Sequence, residues 1–382
     1  MRIDDKRMSR QHARVAFDGH RWTVRDGDSR NGTAVDGEEI TGSRSFPAPR
    51  VLRTGSSLFL FAADLSPHEP GLARAGDVLM GPALQRVFKA IARAARFGRV
   101  LHVTGESGSG KEIAARAFHD AGPSRSGPFV AVNAATLPAG MAERLLFGAR
   151  KGVYTSAVDA RGLVQSAHGG TLFLDEIAEL DTSVQAKLLR VLETREVTAL
   201  GAERPERVDL RVVSATLRDL RAEVAAGRMR EDFFFRIGTP AIAMPPLRER
   251  LEEIPPFIER ALLDLGEAAG PIRAHASLVE ACLLRRWPGN VRELCAEIRA
   301  AAQLAADDGG VVHARHLAPR AGSSVEAEPP PAPAEKITDA QIEEALRTTG
   351  GNVSEAARVL GMHRNQLNRW RAKRRADDPE KA

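Results

Sequence analysis

Two groups of residues in this chain have types and spacing suited to phosphate chemistry. The first is Gly105-Glu106-Ser107-Gly108-Ser109-Gly110-Lys111-Glu112, which meets the pattern G-x-x-x-x-G-K. Glycines let a backbone turn tightly and aim its N–H groups inward, and a lysine ammonium placed there reaches the outer phosphates of a nucleotide. Glu112 stands where such loops usually carry the Ser or Thr that binds magnesium, so Mg²⁺ must be held mainly by another group. The second group supplies one. Asp175-Glu176 closes the run Gly169-Gly170-Thr171-Leu172-Phe173-Leu174. Asp175 is suited to Mg²⁺, directly or through water, and Glu176 to orienting and deprotonating an attacking water. The pair of motifs points to a site for ATP and Mg²⁺.

Such residues work only if a strand delivers the glycine loop and a helix opens behind it. From Asp77 to roughly Pro246, apolar runs alternate with amphipathic stretches. Strands are expected at Arg99–Thr104, Phe129–Asn133, Thr171–Asp175 and Leu210–Ala215. Helices are expected at Ala83–Ala95, Glu112–His119, Ser183–Thr194 and Leu217–Ala226. That alternation predicts a mostly parallel sheet covered on both faces, with ligands at the carboxyl ends of its strands.

The remaining composition sets bounds. At 382 residues and 43 % hydrophobic, the chain is expected to form two or three domains with real cores. A net charge of +5 is too small for a general polyanion binder, so the useful question is where the cations gather. Cys282 and Cys295 have no paired Cys/His cluster and read as reduced thiols. No stretch is apolar for long enough to span a bilayer and Met1–Arg10 is polar, so a cytoplasmic location with no membrane partner is expected.

Residues 77–318 resemble the central AAA+ domain of bacterial enhancer-binding proteins, the ATPases that activate sigma-54 RNA polymerase. The resemblance runs through separated motifs in order. Gly105–Glu112 matches that family's own phosphate loop, glutamate included. It implies that Asn133, in Phe129–Asn133, restrains Glu176 by hydrogen bonding until the nucleotide state changes. Thr216 matches a sensor of the terminal phosphate, although Leu217 stands where the family often has a polar residue. Arg230 and Arg236, in Met229–Ile237, match two arginines presented to the next subunit's nucleotide, which implies self-assembly, from dimer to hexameric ring. Pro245–Arg250 resembles the exit to a helical lid. Trp287–Leu294 matches the lid signature, with Arg292 expected to touch the phosphates of its own subunit. The stretch Gly152-Val153-Tyr154-Thr155-Ser156-Ala157 aligns with the loop that contacts the sigma factor, with Val153 and Ser156 replacing smaller residues.

Residues 1–63 read as short strands and turns. Ser9-Arg10-Gln11-His12 and Ser29-Arg30-Asn31-Gly32-Thr33 resemble the signatures of the forkhead-associated (FHA) phosphopeptide-binding fold. That resemblance implies a phosphothreonine site formed by Ser9, Arg30 and Asn31, with His12 bracing the loop. Its partner would be a phosphothreonine protein or a Ser/Thr kinase. Because Met1 falls almost at the second motif, a truncated sandwich with open edges is expected, serving only as a docking surface unless the true start lies upstream.

Toward the other end, Arg320–Glu335 reads as a tether. Ile337–Arg347 is an amphipathic helix, and Asn352 is a fair cap for Val353–Leu360. Gly361-Met362 turns the chain into His363–Arg374, giving a helix-turn-helix. Seven Lys/Arg residues fall within Arg358–Arg375, a local excess suited to a DNA backbone. The stretch resembles the Fis-type DNA-binding domain. It implies that His363, Arg364, Asn365, Asn368 and Arg369 face the major groove, while Arg371 and Lys373 reach phosphates.

The expected fold class is therefore multidomain: a partial all-β sandwich, an α/β P-loop AAA+ domain with an α-helical lid, and an all-α helix-turn-helix. The expected boundaries are 1–63, a linker at 64–76, the α/β subdomain 77–249, the lid 250–318, a linker 319–336 and the DNA-binding segment 337–378. The expected function is ATP-dependent activation of transcription through sigma-54 RNA polymerase holoenzyme and an upstream DNA enhancer. A DNA-binding regulator whose ATPase drives assembly without acting on sigma-54 stays open as the alternative.

Overall fold

The computed structural model describes residues 4–62, 64, 68–69, 71–75, 78–138, 140–150, 160–265, 272–306, 308–323, 339–350, 352–353 and 356. The chain forms two units, Met1–Ser324 and Val325–Ala382.

The first unit begins with seven short strands: β1 (Ala13–Phe17), β2 (Trp22–Asp26), β3 (Thr33–Val35), β4 (Glu38–Ile40), β5 (Ser43–Phe46), β6 (Val51–Thr54) and β7 (Ser57–Leu60). They make two antiparallel sheets, β1-β2-β5 and β4-β3-β6-β7, around Val24, Val35, Ile40 and Leu52. The first sheet ends at β1 and β5, the second at β4 and β7. An apolar groove of about 560 Å³ lies against Val15, Trp22, Phe59 and Phe61. The expected linker at 64–76 needs a correction. Part of it forms β8 (Ala73–Ala75), which pairs antiparallel with β9 (Val78–Met80) as a small hairpin before the ATPase core.

Next come α1 (Pro82–Phe97), β10 (Val100–Thr104), α2 (Lys111–Asp120), β11 (Phe129–Asn133), α3 (Ala142–Phe147), α4 (Leu163–Ser166) and β12 (Thr171–Asp175). They are followed by α5 (Thr182–Thr194), β13 (Glu196–Val197), β14 (Glu206–Arg207), β15 (Arg211–Thr216), α6 (Leu220–Ala225), α7 (Glu231–Ile237) and β16 (Ala241–Ala243). Five strands pair in parallel in the order β11-β12-β15-β10-β16. Their apolar runs are continuous because both faces are covered. Leu172 and Leu174 of β12 enter one core with Leu188 and Phe233, whereas Phe173 between them enters another with Ile91 and Phe118. Strand alternation thus feeds two layers from one segment, and each fully buried side chain of this size contributes about 1.5–3 kcal/mol.

The lid contains α8 (Ile254–Leu263), β17 (Arg273–Ala274), α9 (Ala276–Leu284), α10 (Asn290–Ala306) and β18 (Val311–Val312). Its core gathers Ile258, Leu278, Leu283, Trp287, Leu294 and Ile298. The second unit contributes α11 (Asp339–Thr348), with Ile342 and Ala345 buried as its periodicity predicts. Ala356 N–H bonds to the Asn352 carbonyl at 2.9 Å. Among the described residues, no helix is long and apolar enough to cross a membrane.

Candidate nucleotide-binding site

Strand β10 ends at Thr104 in register with Thr216 at the end of β15, and Asn133 of β11 is in register with Asp175 of β12. The parallel order therefore brings the glycine loop, Thr216 and the carboxylates to one edge of the sheet. Here a cavity of about 460 Å³ opens, bounded by Ser107–Ile113, Asn133, Asp175, Glu176, Arg250 and Arg292, with Leu84, Phe88, Met244 and Phe257 on its apolar side.

The loop's shape explains its glycines. Gly105, Gly108 and Gly110 take φ of +152°, +71° and +104°, values that side chains disfavour. At Gly108 a Cβ would also meet the carbonyl of Gly289 at 2.2 Å, so the lid can approach only a glycine. The Lys111 ammonium donates to the carbonyls of Gly105 (3.0 Å) and Glu106 (3.4 Å) and lies 3.7 Å from Glu176 Oε1. The Ser109 hydroxyl is buried without a partner. Glu112 pairs with Arg116 at 2.9 Å on the helix surface, which leaves it spoken for outside the loop.

Glu176 follows β12 in a left-handed conformation, φ +50°. Its Oε2 accepts hydrogen bonds from the Thr216 hydroxyl and the Leu217 N–H, both at 3.3 Å. Burial pushes the Asp175 carboxyl above the usual carboxylate range; Lys111 opposes that shift and Glu176 adds to it. Asn133 differs from expectation. Its Oδ1 accepts from Ala135 N–H at 2.9 Å, capping the turn Ala134–Thr136, and among the described residues the donors to Glu176 are Thr216 and Leu217. The side chain of Leu217 is exposed, and it is the backbone at that position that reaches the carboxylate.

The lid closes the other side. Asn290 donates from Nδ2 to the Ser107 carbonyl (2.9 Å) and Glu106 Oε2 (3.1 Å), while its Oδ1 accepts from Leu247 N–H (2.7 Å). Arg292 donates to the Ser107 hydroxyl at 3.0 Å. Arg248 pairs with Glu106 at 2.8 Å. Arg250 is 2 % exposed, paired at 2.9 Å with fully buried Glu253, and donates to the Ser109 carbonyl at 2.8 Å. Glu253 in turn accepts from Gly81 N–H at 2.6 Å. Sequence reasoning points to the segment containing Arg248 and Arg250 but gives those residues no role. It gives Asn290 no role beyond its place in the Trp287–Leu294 signature. The signal available is the arginine density of Leu247–Arg250 beside a proline pair.

Arg230 and Arg236 do not line this cavity. Arg230 makes a two-pronged bond to Asp232 (3.0 and 2.7 Å), and Arg236 donates to the Leu192 carbonyl at 2.7 Å. In the β-module, the Arg30 backbone meets Ser9, whereas the Asn31 side chain turns to Arg7. Arg30 N–H donates to the Ser9 hydroxyl (3.3 Å), and the Asn31 amide donates to the Arg7 carbonyl (2.6 Å). His12, 2 % exposed, accepts from Ser9 N–H on Nδ1 and bonds the Gly32 carbonyl through Nε2, both at 2.9 Å. Gly152–Ala157 and the helix-turn-helix residues His363, Arg364, Asn365, Asn368, Arg369, Arg371 and Lys373 lie outside the described residues.

The donor set fits a nucleoside triphosphate with Mg²⁺. The Ser109 hydroxyl, unpartnered among the described residues, the glycine cradle and an ammonium held by two loop carbonyls and the Glu176 carboxylate suit phosphate oxygens. Among the described residues no group of three or more His, Cys, Asp or Glu could hold a metal by itself. That is the usual case for Mg²⁺, which takes one or two carboxylates and completes its shell with phosphate and water.

Comparison with known proteins gives the same picture. Residues 78–243 match the sigma-54 interaction domain and 248–334 an AAA+ ATPase lid domain. Residues 1–60 match the FHA domain, and 335–373 the Fis family of bacterial regulatory proteins. The Nif-specific regulatory protein of Azotobacter vinelandii is 41 % identical over 298 residues, covering 75 % of this chain and 56 % of that protein. The DNA-binding transcriptional regulator NtrC of Bradyrhizobium sp. (strain RP501 Parasponia) is 40 % identical over 324 residues, 75 % of this chain and 67 % of that protein. The chain thus spans between about half and two thirds of the length of these curated relatives. The crystal structure of NtrX from Brucella abortus in complex with ATP superposes with a TM-score of 0.59 at 30 % identity, covering 78 % of this chain and 68 % of that one. A relationship of this extent to NtrC, together with the matches to the sigma-54 interaction, AAA+ lid and Fis-family domains, decides the family: the chain belongs to the sigma-54-dependent enhancer-binding regulators built on an AAA+ ATPase domain.

Proposed function

We propose that this protein hydrolyses ATP between neighbouring copies of itself and uses the cycle to remodel sigma-54 RNA polymerase while held on upstream DNA. The observation that carries the reading is the convergence of Lys111, Asp175 and Glu176 on one cavity, with Thr216 bonded to Glu176 behind it, while Arg230 and Arg236 stand outside it. Lys111 exchanges its loop carbonyls for the outer phosphates, and Arg292 shifts from Ser107 toward the same charge. Asp175 would hold Mg²⁺, which would neutralise charge on the phosphates. Glu176 orients the attacking water and takes its proton, released from Thr216 as the site fills. Arg230 and Arg236 serve the nucleotide of the next subunit, where planar guanidinium groups stabilise the charge of phosphoryl transfer.

The segment Gly152–Ala157 delivers the mechanical output to the sigma factor, and residues 363–373 dock on duplex DNA. The β-module reads a phosphothreonine partner through Ser9 and Arg30, with Asn31 oriented by its bond to the Arg7 carbonyl. ATP-dependent open-complex formation on sigma-54 holoenzyme tests the whole. Wild-type protein forms open complexes and Thr155→Ala does not, while both hydrolyse ATP. Hydrolysis without open complexes in the wild type would instead favour a regulator whose ATPase serves only assembly.

A further inference from the structure

Strand β6 belongs to two cores at once. Its alternation sends Leu52 into the β-sandwich and Val51, fully buried, into the lid core beside Leu278, Leu283 and Trp287. Arg53, on the same face as Val51, donates from Nε to Glu280 of α9 at 2.7 Å. Glu280 is 3 % exposed and its other oxygen accepts from Gly37 N–H at 3.1 Å. Arg50 reaches the end of the same helix, donating to the carbonyls of Leu283 and Leu284, both at 2.9 Å. Those are last-turn carbonyls with no partner in their own helix, and a cation there also favours the helix dipole.

Beyond α9 the chain leads directly to the nucleotide site. Trp287, fully buried, ties back to the Cys282 carbonyl at 2.7 Å. Asn290 and Arg292 then hang on Ser107 of the phosphate loop. A short, internally bonded connection therefore joins the carbonyls that Arg50 binds to the residues that touch the loop.

We propose that the β-module is a fixed brace of the lid. In this role Arg50 and Arg53 are positioning residues: through α9 they set the reach of Asn290 and Arg292 onto the phosphate loop. Loosening the module from α9 weakens nucleotide binding. By linkage, bound nucleotide tightens the docking by the same factor. The inference rests on the nucleotide-binding reading above. Neither arginine lines the cavity, so an effect on affinity has to travel through the lid.

The test uses the full chain with Arg50→Ala and Arg53→Ala combined, a fluorescent ATP analogue, and hydrogen exchange at residues 276–306. Exchange in α9 should rise and the analogue should bind about tenfold more weakly, with KM for ATP raised and kcat little changed. Glu280→Gln leaves one acceptor oxygen where Gly37 and Arg53 each use one, so it should weaken binding of the analogue in the same direction as the double variant and by less. Affinity within twofold of wild type in the double variant overturns the proposal, whether or not α9 exchange rises. Should the double variant fail to fold, Arg50→Ala alone, which leaves Glu280 paired, carries the same comparison. Lys111→Ala separates the two levels: if it too binds the analogue normally, the nucleotide site itself has been misassigned.

Discussion

The Glu176 carboxylate lies 3.7 Å from the Lys111 ammonium through one oxygen and accepts from Thr216 through the other. A carboxylate so placed is anchored between the ammonium of the glycine loop and the hydroxyl at the end of β15. Replacing it with the isosteric amide removes the base and keeps the shape. Glu176→Gln should therefore bind ATP within a few-fold of wild type and lose turnover by about 10²–10⁴-fold. Steady-state hydrolysis and equilibrium nucleotide binding check the two halves separately. Loss of binding with unchanged turnover per bound nucleotide would place Glu176 in binding, not in chemistry.

Arg250 and Glu253 form a buried pair that holds three pieces in place: Gly81 before α1, Ser109 in the phosphate loop and the entry to the lid. Removing one partner leaves an uncompensated charge, so Arg250→Ala should cost about 3–5 kcal/mol of stability. Arg250→Met with Glu253→Leu should cost less than Arg250→Ala alone, because neither charge is then stranded. Denaturant melts of the three proteins measure this. A double variant worse than the single would show that the pair is not energetically coupled.

His102 sits in β10, 3 % exposed, with Nδ1 bonded to the Ser214 hydroxyl at 2.9 Å and Nε2 unpartnered. Burial lowers its pKa from 6.5 to about 4. The folded protein thus resists a proton that the unfolded chain accepts. Stability from this group is fully present above pH 6.5 and is lost as pH falls toward about 4. The loss amounts to about 3 kcal/mol. His102→Asn should flatten the pH dependence of the melting midpoint over that interval. An unchanged slope would assign the acid sensitivity to other groups.

The central sheet is legible in the sequence because its strands are continuous apolar runs bounded by glycine or polar turns. Thr171–Asp175 is legible to the residue. β16 escapes because Ala241–Ala243 is three residues long and lies between Pro240 and Pro245, where it resembles connecting chain. β8 is hidden in the same way among Pro and Gly. The phosphate loop and Asp175-Glu176 are legible because their chemistry is local in sequence. Arg250, Asn290, Arg53 and Glu280 are not. Arg250 meets Ser109 across 141 positions and Arg53 meets Glu280 across 227. A charged residue read alone suggests solvent, and only the fold supplies its buried partner. Asn133 shows the converse: its motif is recognisable, but the local turn at Ala134–Thr136 competes for its side chain.

The central claim is that one subunit supplies Lys111, Asp175 and Glu176 to an ATP while the next supplies Arg230 and Arg236. Mixing Glu176→Gln protein with an Arg230→Ala/Arg236→Ala double variant tests it most directly. Each variant alone should be almost inactive. In a mixed ring, sites joining an intact carboxylate to intact arginines should reappear at about one interface in four, so hydrolysis at equal mixing should exceed the sum of the parts. Activity equal to that sum at every mixing ratio would contradict the account.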